Sequence, residues 1–141
     1  MNTIKMLDSK QHAMYLCLTS LTPLVSSYYA LTNKQYDFMI ASGGVTVTSL
    51  LYWHNPVRGW RRNVDMSYVS LSLLYHITKS FQHSYYASSL ALFYYILISG
   101  LCYKVSWIFQ NKQYYKTSIF LHSLIHIIGA CGNIHIYSLH V

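Results

Sequence analysis

Glutamate is absent from this chain, and its only acids are Asp8, Asp37 and Asp65. Charged residues of both signs make up 9% of the 141 positions, against about 25% in soluble domains. So few charges cannot clothe a water-facing surface, which excludes an ordinary soluble fold. Cysteine is also scarce. Cys17, Cys102 and Cys131 are widely spaced and odd in number, so neither a disulfide framework nor a zinc ribbon is indicated. Proline occurs only at Pro23 and Pro56, and no linker, internal repeat or second domain stands out. The segment Met1 to Gln11 is polar, and the apolar run behind it is long enough to span a bilayer, so a cleavable signal is not expected.

What is present is apolar: 53% of residues are hydrophobic. Five stretches read as membrane spans, at about 13–31, 38–53, 65–81, 85–103 and 117–140, and together they predict an all-α polytopic bundle. Pro23 is expected to kink the first span. The second is short, and its Gly43-Gly44 pair would allow close helix approach. The third is rich in serine and carries His76. The second and third need flanking residues or a thin bilayer to cross, the alternative being a re-entrant hairpin. The fifth contains no Asp, Glu, Lys or Arg.

The formal net charge is +7, yet the basic residues fall at segment ends and not along one face. That distribution argues against nucleic acid and for topology signals. With the N-terminus inside, Lys5, Lys10, Arg58, Arg61, Arg62, Lys104, Lys112 and Lys116 are inside, and only Lys34 and Lys79 are outside. The predicted orientation is therefore N-terminus inside and C-terminus outside. Membrane lipids are the expected partners, with anionic headgroups at Arg58, Arg61 and Arg62. Five short spans expose much surface, which makes a homo-oligomer reasonable.

Ionisable residues within spans are costly and mark functional candidates. His122 and His126 are four apart and share a helix face, roughly 8–14 Å into the fifth span. His54 ends the second span and Asp65 begins the third, both towards the same membrane side. Three imidazoles and a water make a catalytic zinc shell, and a nearby carboxylate could orient that water or take its proton.

The run Thr48-Ser49-Leu50-Leu51-Tyr52-Trp53-His54, the basic loop, Asp65 and His122-x-x-x-His126 together resemble the CREST membrane hydrolase superfamily. That group includes the alkaline ceramidases, the progestin and adiponectin receptors and the haemolysin III-like proteins. The resemblance implies zinc held by His54, His122 and His126, with Asp65 positioning the water and Ser49 supporting the transition state. It covers about a third of the chain. The family has seven spans, whereas this chain has room for five. The family also sets its serine four residues before its histidine. Here Ser49 lies four before Trp53, with His54 one further on. If Trp53 holds the family position, the third ligand is gone. If His54 holds it, Ser49 is rotated off the site by more than a quarter turn. The run from Tyr52 to Arg62 is also similar to uncharacterised small membrane proteins of large DNA viruses and protists.

Each candidate also has a plain structural reading. Asp65 follows Asn63 at an expected helix start and reads as an N-cap. His54 reads as interfacial, and His122 and His126 as hydrogen-bonded links between helices. His76, His83, His135 and His140 read as interfacial or structural. Three functions follow: a structural or assembly protein of a membrane, for example an envelope; a zinc-dependent lipid amide or ester hydrolase; or a histidine-rich haem or ion-conducting bundle, with His76 and His126 as a loose haem pair.

Overall fold

In a computed structural model of the chain, residues 10–57, 59–82 and 86–140 are described, the side chains of 86–88 excepted. The described residues form six helices: α1 (Lys10–Thr19), α2 (Thr22–Thr32), α3 (Tyr36–Trp53), α4 (Trp60–Gln82), α5 (Tyr86–Asn111) and α6 (Tyr115–Ser138). Two stretches, Ser89–Asn111 and Tyr115–Ser138, are long and apolar enough to cross a membrane. At 1.5 Å per residue α5 and α6 are about 39 and 36 Å long, each exceeding a ~30 Å hydrocarbon core.

α1 and α2 are separated by a two-residue turn at Ser20 and Leu21. The cause is Pro23, which has no N–H to give the Thr19 carbonyl one turn back. The Thr22 hydroxyl supplies that bond instead, at 2.8 Å. Cross-helix contacts give the direction of each rod. His12 meets Tyr115 and Thr19 meets His126, so α1 runs parallel to α6. Phe38 lies on Tyr137 and Trp53 on His122, so α3 runs antiparallel to α6. Asp37 pairs with Lys79 and Asp65 with Ser49, which sets α4 antiparallel to α3. Tyr95 meets His135 and Ser106 meets Ser118, which sets α5 antiparallel to α6. The chain thus runs up and down, with Lys10, Trp53, Trp60, Asn111 and Tyr115 at one end. We call this the basic end, for Arg61, Arg62, Lys112 and Lys116.

Two turns at helix ends share a sequence. Asn33-Lys34-Gln35-Tyr36 closes α2 and Asn111-Lys112-Gln113-Tyr114 closes α5. Each places a non-glycine residue in the left-handed region, Lys34 at φ 59° and Gln113 at φ 64°. The Gln35 N–H bonds the Ala30 carbonyl and the Tyr114 N–H bonds the Phe109 carbonyl, each at 2.9 Å, the pattern that satisfies the last carbonyls of a helix.

The glycine pair does what its position suggested. A Cβ on Gly44 would fall on the Tyr68 ring, whose hydroxyl donates to the Ile40 carbonyl at 3.0 Å. Several helix limits differ from the sequence reading. α4 begins at Trp60, with its first bond from the Asn63 N–H to the Gly59 carbonyl, so Asp65 sits in the second turn and is not an N-cap. α5 continues to Asn111, eight residues past the expected end at 103, because nothing between Lys104 and Gln110 breaks a helix.

Candidate functional site

Apolar clusters around Phe38 and Tyr137 and around Leu16 and Trp53 share the interior of this bundle with many hydroxyls. The buried interior holds Ser20, Ser26, Ser42, Thr46, Ser72 and Ser80, while Val25, Ile40, Leu71, Leu97, Phe120 and Ile127 face outward. Many of the buried hydroxyls bond the backbone of their own helix. Ser26 donates to Pro23 and Ser42 to Phe38, at 2.7 and 2.9 Å. Others cross between helices: Ser27 donates to the Met39 carbonyl at 2.9 Å, and Ser72 to the Ala41 carbonyl at 3.3 Å. Small polar side chains at helix contacts are what a bundle in lipid uses, since lipid offers no hydrophobic drive for helices to associate.

Against this background two histidine clusters and one buried acid stand out. Asp65 is buried on α4 and faces α3. Its Oδ1 accepts from Ser49 at 2.7 Å and from Thr48 at 3.1 Å. Ser49 and Trp53, four residues apart, share that face of α3. Trp53 is buried, and its indole stands edge-on to the His122 ring with centroids 4.9 Å apart. His122 and His126 are 5.4 Å apart and nearly perpendicular, at 83°. His54 caps α3 and is exposed. Thus Ser49 and Asp65 come together, as do His122 and His126, and it is Trp53 rather than His54 that packs on His122.

Zinc catalysis asks for three protein ligands and an open position. Among the described residues no three His, Cys, Asp or Glu side chains gather closely enough to hold a metal ion. An indole, which carries no lone pair for a metal, lies beside His122 where a third imidazole would be needed. The donor set therefore does not fit the three-histidine shell that the sequence resemblance implied. Arg61 and Arg62 lie in the first turn of α4, Arg61 packing over the Trp60 ring at 5.6 Å, while Arg58 lies outside the described residues. The three cysteines are free thiols.

Hydroxyls of α1 hold His126 in place. Its Nδ1 lies 3.2 Å from the Thr19 hydroxyl and 3.4 Å from the Ser20 hydroxyl. Both hydroxyls reach the Leu16 carbonyl, Ser20 at 2.7 Å and Thr19 at 3.2 Å. A hydroxyl has one proton to give. Ser20 satisfies the Leu16 carbonyl, and Thr19 lies at the same 3.2 Å from that carbonyl and from Nδ1, so both tautomers of His126 satisfy these contacts.

A second cluster at the opposite end was not visible in the sequence. His76, read there as interfacial or structural, is only 2% exposed. Its Nδ1–H donates to the Ser72 carbonyl at 2.6 Å, so its Nε2 must accept, and the Tyr137 hydroxyl donates to it at 2.8 Å. Phe38 stacks on Tyr137 with centroids 4.5 Å apart. Above it Asp37 accepts from the Tyr75 hydroxyl at 2.5 Å and pairs with Lys79 at 3.2 Å. Partial burial pushes the Asp37 carboxyl up, but the Tyr75 hydroxyl, the Phe38 N–H and the Lys79 ammonium outweigh it and hold it below the ordinary carboxylate value. With both nitrogens of His76 engaged, and Tyr137 eleven residues beyond His126 on α6, roughly 16 Å separates the levels of His76 and His126. That is too far for the two to share one haem iron. The pairings between helices join residues far apart in sequence, and only the serine-to-tryptophan spacing at Ser49 and Trp53 hinted at any of them.

No family model, no curated protein and no solved structure matches the chain.

Proposed function

We propose that this chain is a small multi-pass integral membrane protein with a structural or assembly role, such as in an envelope. It crosses the bilayer five times, with the N-terminus inside and the C-terminus outside. The observation that carries this reading is the large apolar exterior: aliphatic and aromatic side chains such as Val25, Ile40, Leu71, Leu97 and Phe120 face outward, while many hydroxyls and a carboxylate are buried. In water such a surface would aggregate, whereas in lipid it is the expected one. The rods run alternately up and down, and Arg61, Arg62, Lys112 and Lys116 gather at the end that the positive-inside rule puts in the cytoplasm, where they meet anionic headgroups. The apolar outer surface also suits self-association into a homo-oligomer.

The test is topological. Reporters at each terminus, with alkaline extraction of membranes, are expected to show a protein that stays in the membrane with termini on opposite sides. Release by alkali, or both termini on one side, would refute it.

The zinc hydrolase is the second reading. The Asp65 carboxylate held by Ser49 and Thr48, one helical turn from the Trp53–His122 contact, favours it. The missing third imidazole ranks it below the structural role.

A further inference from the structure

α4 docks on the bundle with little apolar seal. Its buried residues are Asp65, Ser72, His76 and Ser80, and its apolar share of the core is Tyr75 and Ile77, half-buried against the Phe38 cluster. Towards the basic end Val64, Met66, Val69 and Leu71 all face outward. There the polar contacts of Asp65 with Ser49 and Thr48, and of Tyr68 with the Ile40 carbonyl, join α4 to α3. Asp65 is 8% exposed, yet among the described residues no Lys, Arg or His lies within ion-pair distance of it. Its partners are two neutral hydroxyls, both on Oδ1, and Oδ2 takes no hydrogen bond among the described residues. The titratable and charged groups around it are few. On α3 Tyr52 lies one turn beyond Ser49, and His54 is exposed past the helix end. On α4 Arg61 and Arg62 precede it by one turn, Arg61 lying over the Trp60 ring, and Tyr68 follows it. α5 meets α4 at Ser80 and Phe81, about 22 Å further along. His76, about 16 Å along α4, has both ring nitrogens engaged and no place for a second proton.

A carboxylate taken out of water without a counter-charge is among the costliest groups a bundle can hold, whereas the neutral acid costs far less. We propose that Asp65 is a reversible proton-binding site that holds α4 on α3: the neutral acid keeps the two helices docked, and loss of the proton releases the basic end of α4. In the acid Oδ1 is the carbonyl oxygen, on which both hydroxyl donors converge, and Oδ2 carries the proton. In the carboxylate both oxygens share the charge, and Ser49 and Thr48 solvate only one of them. Oδ2 must then draw in water, through a contact between α3 and α4 that no buried apolar side chain of α4 seals between Trp60 and Ser72. Exchange takes place with the basic side, since Asp65 is five residues, about 8 Å, inside the Trp60 end of α4. A neutral acid is no general base, so this role differs from the water activation of the hydrolase reading.

This inference goes beyond the structural role and rests on the membrane reading for its apolar surroundings, but its test does not depend on topology. Asp8, Asp37 and Asp65 are the only acidic side chains of the chain, so carboxyl signals can be assigned by substitution. The parent protein, Asp65→Asn and Asp37→Asn are purified in dodecyl maltoside and followed by infrared spectroscopy. At neutral pH the parent is expected to show the C=O stretch of a protonated carboxyl, kept in Asp37→Asn, lost in Asp65→Asn, and fading reversibly as pH is raised. Asp65→Asn, whose amide copies the neutral acid, is expected to unfold in dodecyl sulfate at the parent's midpoint at neutral pH and above it at alkaline pH. Where Asp65→Asn fails to fold, dicyclohexylcarbodiimide is applied to the unaltered protein at neutral pH and the adduct mapped by mass spectrometry. The carboxyl O–H adds across one C=N bond, oxygen to the central carbon and proton to nitrogen, with no leaving group. The adduct is expected on Asp65 and not on Asp37, which is paired with Lys79. Ionised carboxylate bands alone at neutral pH, a protonated band unchanged in Asp65→Asn, or no adduct on Asp65 would each overturn the proposal. Failure of the topology test with success here would leave a proton-binding helical bundle that does not cross the membrane as proposed. The converse result would leave the spans standing and Asp65 ionised.

Discussion

Tyr137→Phe removes one hydroxyl from the centre of the bundle and little else. The ring keeps its stack on Phe38 and its contact with His76, whose centroid is 5.6 Å away. What is lost is the 2.8 Å bond to His76 Nε2, with a longer 3.4 Å contact to the Phe38 carbonyl. His76 cannot compensate by turning, because its Nδ1–H is committed to the Ser72 carbonyl and the ring is 2% exposed. An acceptor is therefore stranded. A stranded buried group costs about 1–3 kcal/mol, whereas side-chain hydrogen bonds between membrane helices average about 0.6 and reach about 1.7 kcal/mol. Because His76 has no other donor among the described residues, we expect a loss near the top of the membrane range, about 1.5 kcal/mol. Tyr137→Ala also removes a fully buried ring and is expected to cost about 3–5 kcal/mol. The assay is reversible unfolding in mixed micelles by increasing dodecyl sulfate, run as a double-mutant cycle with His76→Phe. A coupling of about 1 kcal/mol is expected between the two positions. If Tyr137→Phe stays within about 0.3 kcal/mol of the parent while Tyr137→Ala is severe, only ring packing matters and the tautomer argument fails.

Gly44→Leu should force the Tyr68 ring off α3 at a cost of about 1–3 kcal/mol, and Tyr68→Ala should restore most of it. Unfolding of the double variant in micelles checks this, and no rescue would mean that Tyr68 is not what Gly44 accommodates. The Asp37 carboxyl, held below its ordinary value in the folded state, contributes stability that is fully present above the unfolded-state value and is lost as pH falls through the folded one. Asp37→Asn should therefore flatten the acid limb of the stability profile while costing under about 1 kcal/mol at neutral pH, since the pair with Lys79 is partly exposed. An unchanged acid limb would assign that loss to another group. Purified protein should carry far less than stoichiometric zinc by elemental analysis, unchanged by His122→Ala with His126→Ala; stoichiometric zinc lost in that variant would reinstate the hydrolase.

The sequence by itself determined the helical class, the break at Pro23, the glycine pair at a close helix approach, and the pairing of His122 with His126. All of these are local. They follow from composition, from a missing N–H or side chain, or from a spacing of four on a helix. It also supplied both horns of the Trp53 and His54 question, because a one-residue offset near a helix end turns a side chain by about 100° and periodicity cannot say which neighbour lies opposite. Only the tertiary structure decided that Trp53 faces His122 and that His54 is exposed. It alone revealed the buried acceptance of Ser49 and Thr48 by Asp65, and the His76 to Tyr137 bond between residues 61 apart in sequence. The tautomer of His76 depends on which carbonyl and hydroxyl the fold brings to its ring nitrogens. One partner comes from the neighbouring turn and the other from α6, so the chemistry available at that ring is fixed by how the helices pack and not by any motif along the chain.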